Sequence, residues 1–501
     1  MKGCFYLQRK FSPIGHSIIK HLYTMGVGEF CAYVSMRSAY NFLLSQKEIP
    51  YTQLLLDEAI HKKFMDEEVD FKYLAWLEEE YGIPNLWPYL YIDRVIMNGQ
   101  LVREYPYNRA TLSYYEMLQR LQITAREIIK FLDKEKPDFL FISVIGSLGA
   151  LLLYTIAKKK GIKTFNLDYT RIGNGEIITE DYRTFTWANK LFEKFQRGEV
   201  KSSRDKEARE FINEFRKHPA PYVVETGIWA PRPTTRLSQL RYLSPIKIAK
   251  VAGWFALFTF RYLIKKERDY TDEIPWYSAW DKLKRKTREI RGFSDFYAIP
   301  DFEKDFAYFP LHLEPEIGTL LYAPFFSDQI HLIRQIARSL PIHFILYVKE
   351  HPSMVGFRPR KYYAEIAKIP NVKILSPNVS SLKVVEKANI LFTIAGTAGW
   401  EAVLLEKPVI TFGDVFYNIL STVKHSVKIE DLSALTLSQL KNFKPNNEEL
   451  IHFVSALLED SVDANLIELW EKEDQGEDER SQGEGLKRLA ELIAKKINLK
   501  Q

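Results

Sequence analysis

The chain has 501 residues, 46% of them hydrophobic and 27% charged, with 70 basic against 64 acidic side chains and a net charge of +6. This composition excludes a disordered chain, and the length exceeds one ordinary core, so two domains are the default expectation. The charge excess is small and no basic tract dominates, which points away from nucleic acid as a partner. Two cysteines, Cys4 and Cys31, lack metal-ligand spacing and fit a reducing compartment. Met1–Lys10 meets charge too early to hold the apolar core of a signal peptide, so a cytoplasmic protein is expected. The aromatic content of 14% suits carbohydrate contact and ordinary cores alike.

Residues 1–185 alternate strand and helix signals. Phe5–Leu7 reads as a strand, followed by the turn Ser12–His16 and a helix over Ser17–Tyr23. Phe30–Ser35 and Tyr51–Leu56 read as strands around a helix over Arg37–Gln46. Leu118, Leu121, Ile128, Ile129 and Leu132 give Tyr114–Lys134 an apolar helical face. Phe139–Ser143 and Ile162–Leu167 are apolar strand-length runs around a helix over Gly146–Lys160. Such alternation predicts a parallel sheet covered on both faces.

Over residues 186–300 the alternation fails. Lys190–Lys217 is charged and helical, prolines punctuate 219–233, and Ile246–Ile264 is a long apolar helix with basic flanks. We read this stretch as a helical insertion or bridge. Lys247, Lys250 and Arg261 interrupt the apolar helix, so it should not cross a bilayer. Flanking Arg236, Arg241, Lys265, Lys266 and Arg268 suit a helix lying on an anionic membrane surface. A buried helix between domains fits the same pattern.

Alternation returns in a second α/β domain, 301–470. Strands are expected at Ala307–Leu313, His343–Val348, Val372–Leu375, Ile390–Ile394 and Pro408–Phe412. A helix should fill Ser327–Ser339, and Ser380 should cap a short helix ending near Ala388. Residues 471–501 read as an acidic linker and a terminal helix.

The most informative stretch is Ile390–Ala402, where a strand passes through Gly396-Thr397-Ala398-Gly399 into a helix. Amides at a helix N-terminus attract phosphate, and glycines let a ligand approach the backbone closely. The alternative is a turn kept small for packing. Glu401, in the first helical turn, is a candidate for sugar hydroxyls or simply for the helix dipole. Upstream, a strand ends in Lys349-Glu350-His351-Pro352, where alternation places Lys349 and His351 on one side, facing a leaving phosphate. In Glu314-Pro315-Glu316, Pro315 stiffens a loop that holds two carboxylates, and Glu316 is a candidate for hydroxyl binding or acid/base work. In the first domain, His16 and Asp168 (with Tyr169 and Arg171) are candidates for handling an acceptor proton, against the plainer reading of a structural histidine. No zinc spacing, Walker A or G-x-G-x-x-G pattern occurs, so neither a metal nor a cofactor is expected.

Tyr308–Glu316, Tyr347–Pro352, Gly396–Ala402 and Lys407–Gly413 resemble, in order and spacing, the bacterial capsule polysaccharide biosynthesis family, which includes Kdo transferases. The resemblance covers about residues 305–418. It implies a GT-B-like glycosyltransferase: two Rossmann-like doubly wound domains facing a cleft, with the nucleotide-sugar donor held by the second. It carries the family's His-Pro donor-phosphate motif onto His351-Pro352. The family's Gln-Pro-Glu motif appears here as Glu314-Pro315-Glu316, so its first position departs and CMP-Kdo is not assumed as donor. The implied acceptor is a polysaccharide or lipid-linked glycan, at the inner face of the cell membrane. A nucleotide-sugar 2-epimerase and a non-catalytic assembly protein are the alternatives.

Overall fold

Short apolar runs become the strands of two seven-stranded sheets in the computed structural model, which describes residues 1–8, 11–98, 110, 112–221, 244–264, 273–466 and 483–499. Contacts divide the described residues into two units: 1–99, 110–211 and 451–501 form one, and 212–450 the other.

The first unit contains β1 (Lys2–Leu7), β2 (Glu29–Val34), β3 (Tyr51–Leu56), β4 (Phe139–Ile142), β5 (Lys163–Tyr169) and β6 (Gly175–Thr179). Its helices include α1 (Phe11–Thr24), α2 (Arg37–Ser45), α3 (Tyr114–Glu135) and α4 (Leu148–Lys159). Strands β1 to β5 pair in parallel, as fully apolar runs joined by helices should. Helix α3 starts at a capping box: Ser113 accepts from the Glu116 amide while Glu116 accepts from the Ser113 amide. Strand β6 departs from the parallel pattern. The connection Thr170–Asn174 is too short for a crossover, so β6 folds back antiparallel on β5.

In the second unit β7 (Tyr297–Ala298), β8 (Phe306–Pro310), β9 (Ile345–Lys349), β10 (Val372–Leu375), β11 (Ile390–Thr393), β12 (Val409–Thr411) and β13 (Val423–His425) are all parallel, in the order β13-β12-β11-β8-β9-β10-β7. Two helices, α5 (Pro245–Ile264) and α6 (Pro275–Arg291), precede this sheet. Its faces are covered by α7 (Gln329–Ser339), α8 (Arg360–Ala367), α9 (Ser381–Lys387), α10 (Thr397–Leu404) and α11 (Leu432–Asn442). Ala307, Phe309, Leu346, Val348, Phe392 and Ile410 point into one core with residues of α7, α8 and α11. The alternate residues face α9 and α10. From β8 the chain winds through β9 to β10, then returns to β11 on β8's other side and continues to β12 and β13. The switch point of the sheet therefore lies between β8 and β11, where doubly wound sheets bind ligands.

The domain boundaries need correction. Residues from Ile451 onward do not continue the second unit, nor does the terminal helix stand apart. Strand β14 (Ser461–Asp463) pairs antiparallel with β6, and α12 (Gly483–Lys496) packs on α1, adding Leu489, Ala490 and Ile493 to the core around Ile18 and Leu22. The stretch 186–300 is likewise not one insertion, because its described residues divide between the units at 211/212. The expectation of a buried bridging helix over 246–264 also fails, since α5 has no buried residue. The flanking residues Arg236, Arg241, Lys265, Lys266 and Arg268, and most of the 471–485 linker, lie outside the described residues.

Candidate functional site

At the switch point, the loops after β8, β9 and β11 are tied together by His312. Its backbone is gripped by a side chain: the His312 amide donates to Gln329 Oε1 (2.8 Å) and Gln329 Nε2 donates to the His312 carbonyl (3.2 Å). Its ring reaches the glycine turn, where Nε2 accepts from the Ala395 amide (3.2 Å) and meets Thr393 Oγ1 (3.1 Å). Accepting at Nε2 fixes the tautomer with the proton on Nδ1. Burial drives the His312 pKa down to about 3, helped by nearby His351 and Arg358, so the ring is neutral at pH 7.

The loop after β9 is fixed by a second buried hub. Arg358 is fully buried and donates to Glu350, to the His312 carbonyl and to Glu314 Oε2 (3.3 Å). Glu350 also accepts from the His351 amide (2.6 Å) and from Tyr363 Oη (2.6 Å). Burial would lower the Arg358 pKa, but Glu350 beside it overrides burial and holds the guanidinium charged. A buried ion pair survives when further hydrogen bonds satisfy its partners, and these bonds meet much of that need.

His351 caps the short turn Pro352–Met354 by accepting the Ser353 amide at Nδ1 (3.2 Å). Its other nitrogen, Nε2, therefore carries the proton in the neutral ring. Burial is the main reason its pKa falls to about 4; Glu350 opposes the shift and Lys349 and Arg358 add to it. His351 is thus a neutral hydrogen-bond donor.

Lys349 is only 3% exposed and donates to Ser381 Oγ at the start of α9 (2.9 Å). Burial lowers its pKa to about 8 against the pull of Glu350 and Glu401. Glu401 is itself 5% exposed on α10, so it does not stand open to sugar hydroxyls, and its charge acts on Lys349 after that of Glu350. Lys349 is the last residue of β9 and His351 lies beyond it, so strand alternation does not govern the orientation of His351.

At the glycine turn the geometry favours the packing alternative. A Cβ on Gly396 would lie 3.0 Å from both His312 Nε2 and Thr393 Oγ1. At Gly399 it would collide with Tyr417 Oη and lie 2.8 Å from Thr393 Cγ2. Tyr417 Oη in turn donates to the Gly396 carbonyl (2.9 Å). These glycines make room for the protein's own side chains. The backbone of Thr397 and Ala398 still opens α10, and both residues are half-buried.

Glu314 is 8% exposed as a partner of Arg358, while Glu316 occupies the N-cap position of the short helix Ile317–Leu320 without a side-chain capping bond and stays half-buried in the loop after β8. In the first unit, Asp168 sits near the C-terminal end of β5, ion-paired with Arg171 and bonded to the Tyr169 amide (2.7 Å). His16 is corrected. It lies inside α1, 4% exposed, with Nδ1 on Tyr51 Oη (2.7 Å). Tyr51 begins β3, so α1 has carried His16 back toward the strand starts, away from the edge where an acceptor was expected. Burial lowers its pKa. His312, Arg358, Gln329, Thr393 and Tyr417 were not singled out from sequence. His312 and Thr393 stood inside motif stretches, but the offset between them signals nothing until the sheet is wound. Among the described residues no group of three or more His, Cys, Asp or Glu side chains is placed to hold a metal ion.

Comparison with known proteins adds to this geometry. Protein FixF of Sinorhizobium fredii is 29% identical over 164 residues, 31% of this chain and 38% of FixF. The match thus spans well under half of that curated relative's length. The KpsC β-Kdo 2,7-transferase chain of Thermosulfurimonas dismutans aligns over 69% of this chain and 88% of its own, at 12% identity and a TM-score of 0.34. The UDP-GlcNAc 2-epimerase of Methanocaldococcus jannaschii aligns over 92% and 100%, at 14% identity and a TM-score of 0.23. Residues 319–429, which contain the His351-Pro352 loop and the glycine turn, match the family model described as capsule polysaccharide biosynthesis protein. The matched segment lies within the second unit and takes in motifs that carry the resemblance, so it is similar to that family.

Proposed function

We propose that the protein is a glycosyltransferase that moves a sugar from a nucleotide-sugar donor to a surface polysaccharide or glycolipid, with the donor phosphates at the switch point of the second unit. The observation that carries this reading is the His351 ring. It is neutral, its Nδ1 is occupied by the Ser353 amide, and its Nε2–H is left to donate at the same sheet edge as the first amides of α10. Donors aimed at a departing phosphate stabilise the charge that develops on it. In this reading the Thr397 and Ala398 amides share that phosphate, and Gly396 and Gly399 set their course. Glu316, in the loop after β8, orients donor hydroxyls. Lys349, Glu401 and Glu314 act from behind, holding the loops through buried charge pairs. Asp168, at the corresponding edge of the first unit, is the candidate for the acceptor's proton. No metal has a part in this scheme.

His351→Asn tests the assignment, because an asparagine oxygen can keep the Ser353 cap while the Nε2–H is lost. We expect transfer to fall by about 100-fold, the usual loss for one such donor, with an unchanged melting temperature. Unchanged turnover would remove His351 from the site. A thermal-shift screen with CMP-, UDP- and GDP-sugars identifies the donor, since a ligand bound only by the folded state raises its melting point. An epimerised sugar nucleotide released in the absence of any acceptor would replace transfer with epimerisation.

A further inference from the structure

Helices α5 and α6 expose apolar surface that a monomeric soluble protein ordinarily covers. On α5, Ile246, Leu257, Phe260 and Leu263 are 72%, 48%, 60% and 59% exposed. The partly covered residues of α5 are Phe255, Phe258, Thr259 and Tyr262, an i, i+3, i+4, i+7 face, and the Tyr262 ring meets Trp276 of α6. Along the C-terminal half of α5 the exposed apolar face is therefore the one turned away from that contact, while Ile248 and Val251 (53% and 64% exposed) extend the exposed surface around the N-terminal half. At about 100° per residue, Lys247, Lys250 and Arg261 fall within an arc of roughly 60° along one border of this face. Trp254 lies in the same arc, with Lys282 Nζ of α6 over its ring at 3.8 Å. Helix α6 adds Trp276, Tyr277, Trp280 and Leu283, all about half exposed and spaced i, i+1, i+4, i+7.

Charge decides what covers this surface. The two helices hold nine basic and two acidic residues, a net +7, whereas the whole chain carries +6. The rest of the protein is close to neutral, and its positive charge is concentrated where the apolar side chains are exposed. We infer that α5 and α6 form a docking element that lies in the headgroup layer of an anionic membrane, with its apolar side chains in the acyl boundary and its basic border against lipid phosphates. Interfacial helices have this combination of an apolar face and a Lys/Arg border, and Trp and Tyr favour the headgroup level. Among the described residues no helix is long and apolar enough to cross a membrane. The foot of α6 is fixed to the second unit: Arg288 Nη1 donates to the Phe357 carbonyl (2.7 Å) and Arg285 stacks on the Phe357 ring (4.3 Å). Phe357 adjoins Arg358, the hub of the candidate site, so docking would hold the switch-point loops close to lipid-borne acceptors.

Vesicle binding needs no turnover, so this inference stands or falls independently of sugar transfer. The full-length protein is floated with phosphatidylcholine vesicles, with and without phosphatidylglycerol, at low and high salt. We expect binding to the anionic vesicles that weakens with salt. Lys247→Gln/Lys250→Gln/Arg261→Gln should lose about fivefold per charge, roughly a hundredfold together. Leu257→Ser/Phe260→Ser should also lose binding, while His351→Asn binds like wild type. All these side chains except His351 are exposed, so unchanged melting temperatures serve as the folding control. Binding that ignores lipid charge, or no binding at all, overturns the inference. So does lipid-free self-association abolished by Leu257→Ser/Phe260→Ser, which would give the face to a second copy of the chain.

Discussion

Replacing Gly399 with Ala asks whether the glycine turn is shaped by a ligand or by Tyr417. Gly399 lies within α10, where alanine ordinarily gains about 0.5–1 kcal/mol over glycine. Here the new methyl would collide with Tyr417 Oη and lie 2.8 Å from Thr393 Cγ2. Overpacking of this kind costs about 1–3 kcal/mol, so the net effect should be a loss of about 0.5–2 kcal/mol. Tyr417→Leu alone removes the bond to the Gly396 carbonyl and the ring stacked on Trp400, costing roughly 2–4 kcal/mol. In the Tyr417→Leu background the main obstacle is gone, and Gly399→Ala should cost about 1–2 kcal/mol less than in the wild type. The contact with Thr393 keeps alanine from recovering its full helical advantage. Urea-dependent hydrogen exchange of peptides covering 390–404 reads the local opening free energy of all four proteins, whatever the rest of the chain does. Equal costs of Gly399→Ala in both backgrounds would show that Tyr417 does not set the glycine, and ligand clearance would become the better account.

Arg358→Met should destabilise the second unit by about 3–5 kcal/mol, because Glu350 is left charged and buried; urea unfolding measures the loss, and a cost below about 1 kcal/mol would refute the hub. Lys349 has a folded pKa of about 8 against 10.5 in the unfolded chain, so between these values the unfolded state binds more protons and stability rises with pH. The buried ammonium is no burden above 10.5, and its cost accumulates as pH falls to about 8, reaching roughly 3 kcal/mol. Stability measured from pH 8 to 10.5 should climb in the wild type and lose that slope in Lys349→Met, and identical slopes would place Lys349 in contact with solvent.

Much of the architecture was legible because parallel strands buried on both faces are written as continuous apolar runs. Phe139–Ile142, Val372–Leu375 and Ile390–Thr393 could be placed within a residue or two. Ser380 announced its helix by capping chemistry alone, accepting the Lys383 amide (3.4 Å). Strand β14 gave no such signal. Ser461–Asp463 is three residues long with no alternation, and it becomes a strand only because β6 offers an edge. The site was half legible. The loops named from sequence do meet at the switch point, since chain segments after parallel strands converge by topology. The roles inside them were not legible, because they depend on contacts distant in sequence. Thr393 lies 81 residues from His312, and Arg358 lies 44 residues from Glu314. Lys349 and Glu401 looked like ligand groups because a charged residue is usually a surface residue. Here both are buried, and Lys349 is influenced by the charges of Glu350 and Glu401.

The late return of the chain to its first sheet constrains how the protein can be made. Until residues 461–496 have left the ribosome, β6 is an unprotected edge and Ile18 and Leu22 of α1 lack part of their cover. The second sheet, encoded in one continuous stretch, suffers no such delay and can close first. Nascent N-terminal segments must therefore wait in an adhesive state, and a fragment cut after residue 211 should precipitate unless residues 451–501 are supplied in trans or by fusion.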